Sequence, residues 1–475
     1  MSIFGIDFGT TNSGAVKLAE HATAERYGDE VGGTYPSIVA IDRATGEAVG
    51  GRMVWENRER YLDSGQHHVI QSVKWKLGTD QVWQTEERVW TPQDIASFIL
   101  GALSSRAVKL GLDSIKRAAI TIPVAFPPAA RVDLRRAAER AGIEVSTFVT
   151  ESTAAFMRYL PQLQHCHYVA VFDWGGGTLD ISVLEIRDKT VFEVATEGME
   201  IAGDEIDLDL SRAIHARIME QRQQSILYES MSPTDRDNLR TKCERAKCQL
   251  SQADRTDVLL TSYGGSPLHF AVDKSWFDSL VTPHVDLAIE LLTKAIERCR
   301  LSFDVIDRIL VIGGSSKIRL LQEKLRRDVR FSAALQISED AEWDVAHGAA
   351  VVQGAAGGYE TAESIGVILS DNSFYEIISP GERVYYAPRE LVLSLVEDSR
   401  QANIVVEKKS VHGSDRSERI LAFGIDTLGF DLEELRLTYN ITQDLILTFR
   451  AVSAARAQQD AMSKEYGKLR FAYHI

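Results

Sequence analysis

Two aspartates, Asp7 and Asp173, sit in matching company. The segments "FGIDFGTTNSGAVKL" (4–18) and "HYVAVFDWGGGTLDISVLEI" (167–186) each run an apolar strand into an Asp, a glycine and threonine turn, and a second apolar strand. The first turn has the makings of a phosphate cradle. Gly9 lets the backbone approach a ligand, and Thr10, Thr11 and Asn12 add side-chain donors to the backbone N–H groups. In the second copy Asp173 takes the place of Asp7, and Thr178 that of Thr10 or Thr11. One such hairpin is equally well explained as an ordinary turn. Two of them, sharing strand, acid, turn and strand in the same order, point to an internally duplicated nucleotide site.

A third glycine turn follows in "RILVIGGSSKI" (308–318), where an apolar strand reaches Gly313, Gly314 and Ser315. Ile318, Leu321 and Leu325 then recur at helical spacing to about Val329, so this is a strand, turn and helix unit whose N–H groups can meet polar or negative ligand atoms. The segment "DRDNLRTKCERAKCQLSQ" (235–252) reads as a helix with Leu239, Cys243, Ala246 and Leu250 on one stripe. Glu244, Lys247 and Ser251 form a second, polar stripe. It admits two readings, a grip on a ribose or base and a solvated charged face.

The elements that carry these residues alternate. Thr91 and Pro92 open a helix with Ile95, Phe98, Ile99, Ala102 and Leu103 on its apolar face, ending before Gly111. "RAAITIPVAF" is a buried strand, Pro128 to Ala141 a helix stopped by Gly142, and Ser152 to Leu160 a helix after Glu151. The order is α/β.

Composition sets bounds. The chain has 475 residues, 44% of them hydrophobic and 25% charged, an ordinary soluble balance with room for about three packed units. A net charge of −15 argues against general affinity for nucleic acid. The longest apolar stretch, Ala118 to Ala130, is interrupted by prolines and too short for a bilayer, and the N-terminus shows no secretory pattern. Cys166, Cys243, Cys248 and Cys299 have no metal-ligand spacing. Free thiols in a reducing cytoplasm are expected.

"GIDFGTTNS", "FDWGGGTLDISV", "CERAKCQLS" and "VIGGSSKI" occur in the order found in the DnaK-type, seventy-kilodalton heat-shock chaperones, and "AITIPVAFPPAARVDLRRAAERAGIEV" followed by "ESTAA" resembles another of their segments. The resemblance implies a two-lobed actin-like ATPase fold over residues 1–356, with ATP or ADP and magnesium between the duplicated hairpins. Carried over by position, Gly9, Thr10, Thr11, Asn12, Gly176, Gly177 and Thr178 would hold phosphates, and Asp7 and Asp173 the magnesium ion, mostly through water. Lys74, in "SVKWKLG", would reach the γ-phosphate; from its neighbours alone it reads as a surface lysine. Glu151 would stand near the attacking water, with Asp173 and Thr178 helping to orient it. Gly203 would approach the nucleotide, and Glu244, Lys247, Ser251, Gly313, Gly314, Ser315 and Lys317 would form the adenosine pocket. Pro123, Arg131 and Glu151 match a set that relays nucleotide state in the family.

This chain departs from the family pattern in places. Cys248 and Lys317 stand where a pair of arginines sandwiches adenine, and neither offers a planar guanidinium. The segment 357–363, taken as the linker, lacks the family's leucines. From residue 364 to 475 short strands, ending in "KLRFAYHI", are expected to form an antiparallel β-sandwich without a helical lid, which binds unfolded or specific polypeptide. A co-chaperone and an exchange factor are the further partners implied. Asn403 is expected at the centre of the peptide pocket, and 403–409 is considered as an exposed edge strand. Two other readings are a nucleotide-gated scaffold with little hydrolysis, and a small-molecule kinase of the same superfamily; the match running on into the sandwich argues against the kinase.

Overall fold

A computed structural model describes residues 2–18, 24–109, 111–354, 359–384, 387–396, 399–410, 417–430, 432–456 and 461–474. The two hairpins of the sequence nucleate two sheets with the same connectivity. In the first, Ile3–Phe8 pairs antiparallel with Asn12–Leu18 and parallel with Arg117–Ile122, which continues in parallel to Glu144–Thr150. In the second, Tyr168–Trp174 pairs antiparallel with Leu179–Arg187 and parallel with Arg308–Ile312, which continues in parallel to Leu335–Ile337. The central strands are buried on both faces, as their unbroken apolar runs require.

Helices cover both sheets. Thr91 and Asp94 cap the helix Pro92–Lys109 reciprocally: the Thr91 hydroxyl donates to Asp94 Oδ2 at 2.7 Å, and Asp94 N donates to Thr91 Oγ1 at 3.3 Å. Ser232 caps Pro233–Leu250 by accepting from Asp235 N. The tightest packing is between helices Glu151–Leu163 and Asp344–Gly354. A Cβ on Gly348 would lie 1.5 Å from the Ala154 carbonyl oxygen, so only glycine fits.

The C-terminal strands form a sandwich of two four-stranded sheets. One is ordered Phe374–Ile378, Glu363–Ile368, Gln401–Ser410, Glu418–Asp426; the other Arg389–Ser394, Glu434–Ile441, Leu447–Ser453, Met462–Tyr466. Ile365, Val406 and Ile425 of the first meet Leu437, Leu447 and Phe449 of the second in a buried core.

Two expectations, the edge strand 403–409 and the closing strand "KLRFAYHI", need correction. Residues 406–408 of the strand Gln401–Ser410 pair on both sides, with Glu363–Ile368 and with Glu418–Asp426, so 403–409 is not an edge along its whole length, although the pairing described for 401–405 is with Glu418–Asp426. Lys408 is buried beside Glu363 rather than blunting an edge. Asn403 is exposed: strand alternation buries Ala402 and Ile404 and turns Asn403 outward. "KLRFAYHI" does not close the sandwich. Its Phe471–His474 joins the second lobe's sheet, paired with Thr190–Met199 on one side and Tyr359–Thr361 on the other. Of the expected linker, 357–358 lies outside the described residues, and Tyr359–Thr361 is a strand of that same sheet.

Candidate functional site

The matching connectivity brings the two turns face to face. A Cβ on Gly176 would fall 2.0 Å from Thr11 Oγ1, and one on Gly177 2.6 Å from Thr10 Oγ1. The glycines are what allow two donor-rich turns, Gly9–Asn12 and Gly175–Thr178, to share one cleft. Gly313, at φ 85°, brings the third turn against the Asp173 carboxylate and the Trp174 backbone.

Below the turns lies a buried cluster of charge. Asp7 accepts from the Thr121 hydroxyl at 3.0 Å, and burial with repulsion from Glu151 pushes its pKa up to about 6. Asp173 is raised as well, by burial first and then by Glu151, Asp180 and Asp7. Lys74, only 2% exposed, leaves a short 3-10 turn, Val73–Lys76, to ion-pair with Glu151, the first residue of its helix. The surface reading of Lys74 is thus set aside. Thr178 is buried beside these groups.

Asp180 belongs to this cluster, although the sequence reading did not single it out. It is the cross-strand partner of Asp173. Its Oδ1 accepts from Val124 N at 2.9 Å, its buried Oδ2 has no hydrogen-bond partner among the described residues, and its pKa rises to about 7 through burial and Glu151. The signal was present in "FDWGGGTLD": a residue that pairs back across the turn shares the face of the Asp it pairs with.

Four carboxylates, Asp7, Glu151, Asp173 and Asp180, therefore share the field of one ammonium, which ion-pairs with Glu151. That imbalance fits a divalent cation. Among the described residues no three acidic, His or Cys side chains converge as a closed cage, so an ion here would share its coordination with phosphate oxygens and water.

The residues expected on the adenosine side come together from three elements. Lys247 donates to the Gly203 carbonyl at 2.9 Å and to Asp207 Oδ2 at 2.7 Å, Ser315 donates to Gly175 O at 2.7 Å, and Gly203 N donates to Gly175 O at 3.3 Å. Glu244 reaches across the cleft to Arg58 at 3.3 Å. The solvated-face reading therefore fails for Glu244 and Lys247. Ser251 is the C-cap of the same helix, Gly314 faces open space, and Lys317 pairs with Glu342 at 2.9 Å. Cys248 is exposed beside them. Lys242 to Glu59 and Asn238 to Asp63, at 2.6 and 3.0 Å, add further ties between the lobes.

A connected path leaves the carboxylates. Val124, bonded to Asp180, lies in the turn after Pro123, where Phe126 N donates to Pro123 O. Phe126 O accepts from Arg131 Nε at 3.1 Å, and the same guanidinium donates to Leu445 O at 3.0 Å and Gly467 O at 2.7 Å in the C-terminal unit. Arg135 adds an ion pair to Asp444 at 2.6 Å.

Comparison with known proteins agrees with this geometry. A family model described as Hsp70 protein matches residues 3–373. The chain is similar to the chaperone protein DnaK of Thermotoga neapolitana, 28% identical over 97% of this chain and 80% of the relative. Its similarity to the DnaK proteins of Thermosipho africanus and Thermosipho melanesiensis is the same 28%, over 97% of this chain and 79% of each.

Proposed function

Since the chain belongs to the Hsp70 protein family, a family of ATP-hydrolysing chaperones, we propose that it binds and hydrolyses ATP in the cleft and binds polypeptides under nucleotide control. The observation that carries the ATPase reading is the buried cluster of Asp7, Asp173 and Asp180 with the Lys74–Glu151 ion pair, beside the two glycine and threonine turns.

Asp7 and Asp173 would hold a magnesium ion, which when bound would supply charge neutralisation at the phosphates. Gly9 to Asn12 and Gly176 to Thr178 orient the phosphates through backbone and hydroxyl donors. Lys74 stabilises charge on the transferred phosphoryl oxygens. Glu151, Asp173 and Thr178 orient the attacking water, and Asp180, elevated to about 7, is suited to hold a proton within the cluster near neutral pH. Positioning and charge neutralisation account for such a reaction.

Nucleotide control would run along the contacts from Asp180 through Val124, Phe126 and Arg131 to the backbone of Leu445 and Gly467. Polypeptide binding is supported by an exposed apolar group on two adjacent sandwich loops: Val396 on one, Leu428, Phe430 and Leu432 on the other. The loops are joined by Thr427 N donating to Arg400 O and Leu395 N donating to Glu433 O. A co-chaperone and an exchange factor are the expected protein partners. Among the described residues no helix is long and apolar enough to cross a membrane. The four free cysteines support a cytoplasmic setting.

One observation favours the scaffold as a second reading. Lys317 is engaged by Glu342 and Cys248 is uncharged, so the adenine site has no guanidinium at either place. Steady-state ATP hydrolysis with and without an unfolded peptide separates the two. Peptide-stimulated turnover is the chaperone outcome; tight ATP binding without turnover is the scaffold outcome.

A further inference from the structure

Ser72 lies two residues before Lys74 and has φ 52° and ψ 36°, the left-handed region that few residues other than glycine adopt. Something must hold a serine there. Its hydroxyl crosses the cleft from the first lobe and donates to Asp204 Oδ2 in the second, at 2.8 Å. Asp204 is the second residue of the helix Gly203–Gln221, and its own N–H donates to Gly176 O at 2.7 Å. One residue therefore grips the second phosphate turn with its amide and Ser72 with its carboxylate. Arg240 steadies it, donating to the Asp204 carbonyl oxygen at 3.2 Å and standing 3.8 Å from the carboxylate. On the other side, Trp75 N donates to Ser72 O at 3.2 Å and opens the 3-10 turn that carries Lys74. Ser72 and Asp204 line the same cleft as Thr10 and Thr11.

From this linkage we infer that Ser72 is the positioning residue of Lys74. The left-handed turn at Ser72 sets the direction in which Lys74 enters the cleft, and the hydrogen bond to Asp204 exists only when the lobes are closed on each other. Placement of the lysine is thereby conditional on closure around the second phosphate turn. The inference rests on the reading of Lys74 as the cation that stabilises the phosphoryl group.

Three variants of the full chain test it: Ser72→Ala, which removes the donor; Ser72→Gly, which restores left-handed freedom without a donor; and Ser72→Asn, which tolerates the conformation and offers an amide donor. The expected result is a loss of about 10- to 100-fold in kcat for Ala and Gly. The Kd for ATP, from calorimetry, stays within about threefold, and Asn recovers kcat to within about threefold of the parent. A second readout does not depend on turnover. With magnesium and ATP present, acylation of Lys74 by an amine-reactive reagent, read by peptide mass spectrometry, rises in Ala and Gly and not in Asn. Unchanged kcat and unchanged labelling in Ser72→Ala overturn the inference, as does a loss in all three variants or a change confined to Kd. If the parent protein binds ATP without turning it over, the ATPase reading falls, and the labelling pattern still decides the role of Ser72.

Discussion

Asp173 and Asp180 are direct cross-strand partners in the second hairpin, two buried carboxylates paired on neighbouring strands at the foot of the nucleotide cleft. Such a pair resists double ionisation. With Asp7 at about 6 and Asp180 at about 7, both above their ordinary 3.8, the folded protein binds protons that the unfolded chain releases. The sign follows from proton linkage. The stabilisation is complete below the unfolded pKa near 3.8 and is lost as pH rises through 6 and 7. The nucleotide-free, magnesium-free protein should therefore melt at a lower temperature at pH 8 than at pH 5.5. Magnesium and ATP should narrow the difference by compensating the ionised carboxylates. Calorimetric scans across pH, with and without magnesium nucleotide, check both statements.

Lys74→Ala should abolish measurable hydrolysis, a loss of about 100-fold or more, while leaving ATP binding largely intact. Its buried ammonium ion-pairs with Glu151 in the carboxylate cluster. Asp180→Asn should lower kcat, because it removes the buried carboxylate paired across the hairpin with Asp173. Unchanged turnover in Lys74→Ala would overturn the assignment of the site.

Much of this cleft was legible in the sequence, because a hairpin is a local object and its duplication is visible as text. The turns, their aspartates and the polar stripe of Glu244 and Lys247 are all written at short range. Ser72 and Arg58 were not legible: their roles come from partners more than a hundred residues away, Asp204 and Glu244. Strand order at the C-terminal end was also hidden. Phe471–His474 reads as one more alternating strand, and nothing local says that its neighbours are Thr190–Met199 and Tyr359–Thr361 rather than the sandwich. Gly348 illustrates the same limit. In "DVAHGAAVV" it is one small residue among several, and only the Ala154 carbonyl makes it indispensable.

Gly348→Ala should destabilise the first lobe by about 3 kcal/mol or more, at or above the upper range for overpacking, because the obstruction is backbone and cannot rotate away. Gly101→Ala is the control. A Cβ there meets only the Ala141 methyl group at 3.9 Å, and the change should be neutral or stabilise by up to about 1 kcal/mol, as glycine is disfavoured inside a helix. Urea unfolding of the two variants measures the contrast.

Arg131→Ala should loosen the C-terminal unit from the nucleotide lobes. The guanidinium is 3% exposed, and its removal strands the carbonyls of Phe126, Leu445 and Gly467, a cost of about 2–5 kcal/mol. Arg131→Lys should not restore it, since one ammonium cannot span carbonyls that a planar fork reaches together. If this contact carries the nucleotide signal, peptide stimulation of turnover should fall more than basal turnover. Equal loss of both would place Arg131 in the fold alone.

Glu193 offers an independent test of how the strand Phe471–His474 is held. Its carboxylate is buried and accepts four hydrogen bonds: Thr150 Oγ1 at 2.9 Å, Thr153 Oγ1 at 2.7 Å, Phe471 N at 3.0 Å and the Tyr473 hydroxyl at 3.2 Å. Burial raises its pKa, and these donors pull it back. Glu193→Ala leaves four donors facing an apolar gap and should cost about 3 kcal/mol or more. Tyr473→Phe deletes a single, longer bond and should cost about 1 kcal/mol. Because the strand lies between Thr190–Met199 and Tyr359–Thr361, releasing it should expose the segment around 359–361 to protease before global unfolding. Limited proteolysis of Glu193→Ala should therefore cut near these residues under conditions that leave the parent protein intact. Cleavage at the same rate in both would show that pairing along the backbone holds the strand without help from the carboxylate.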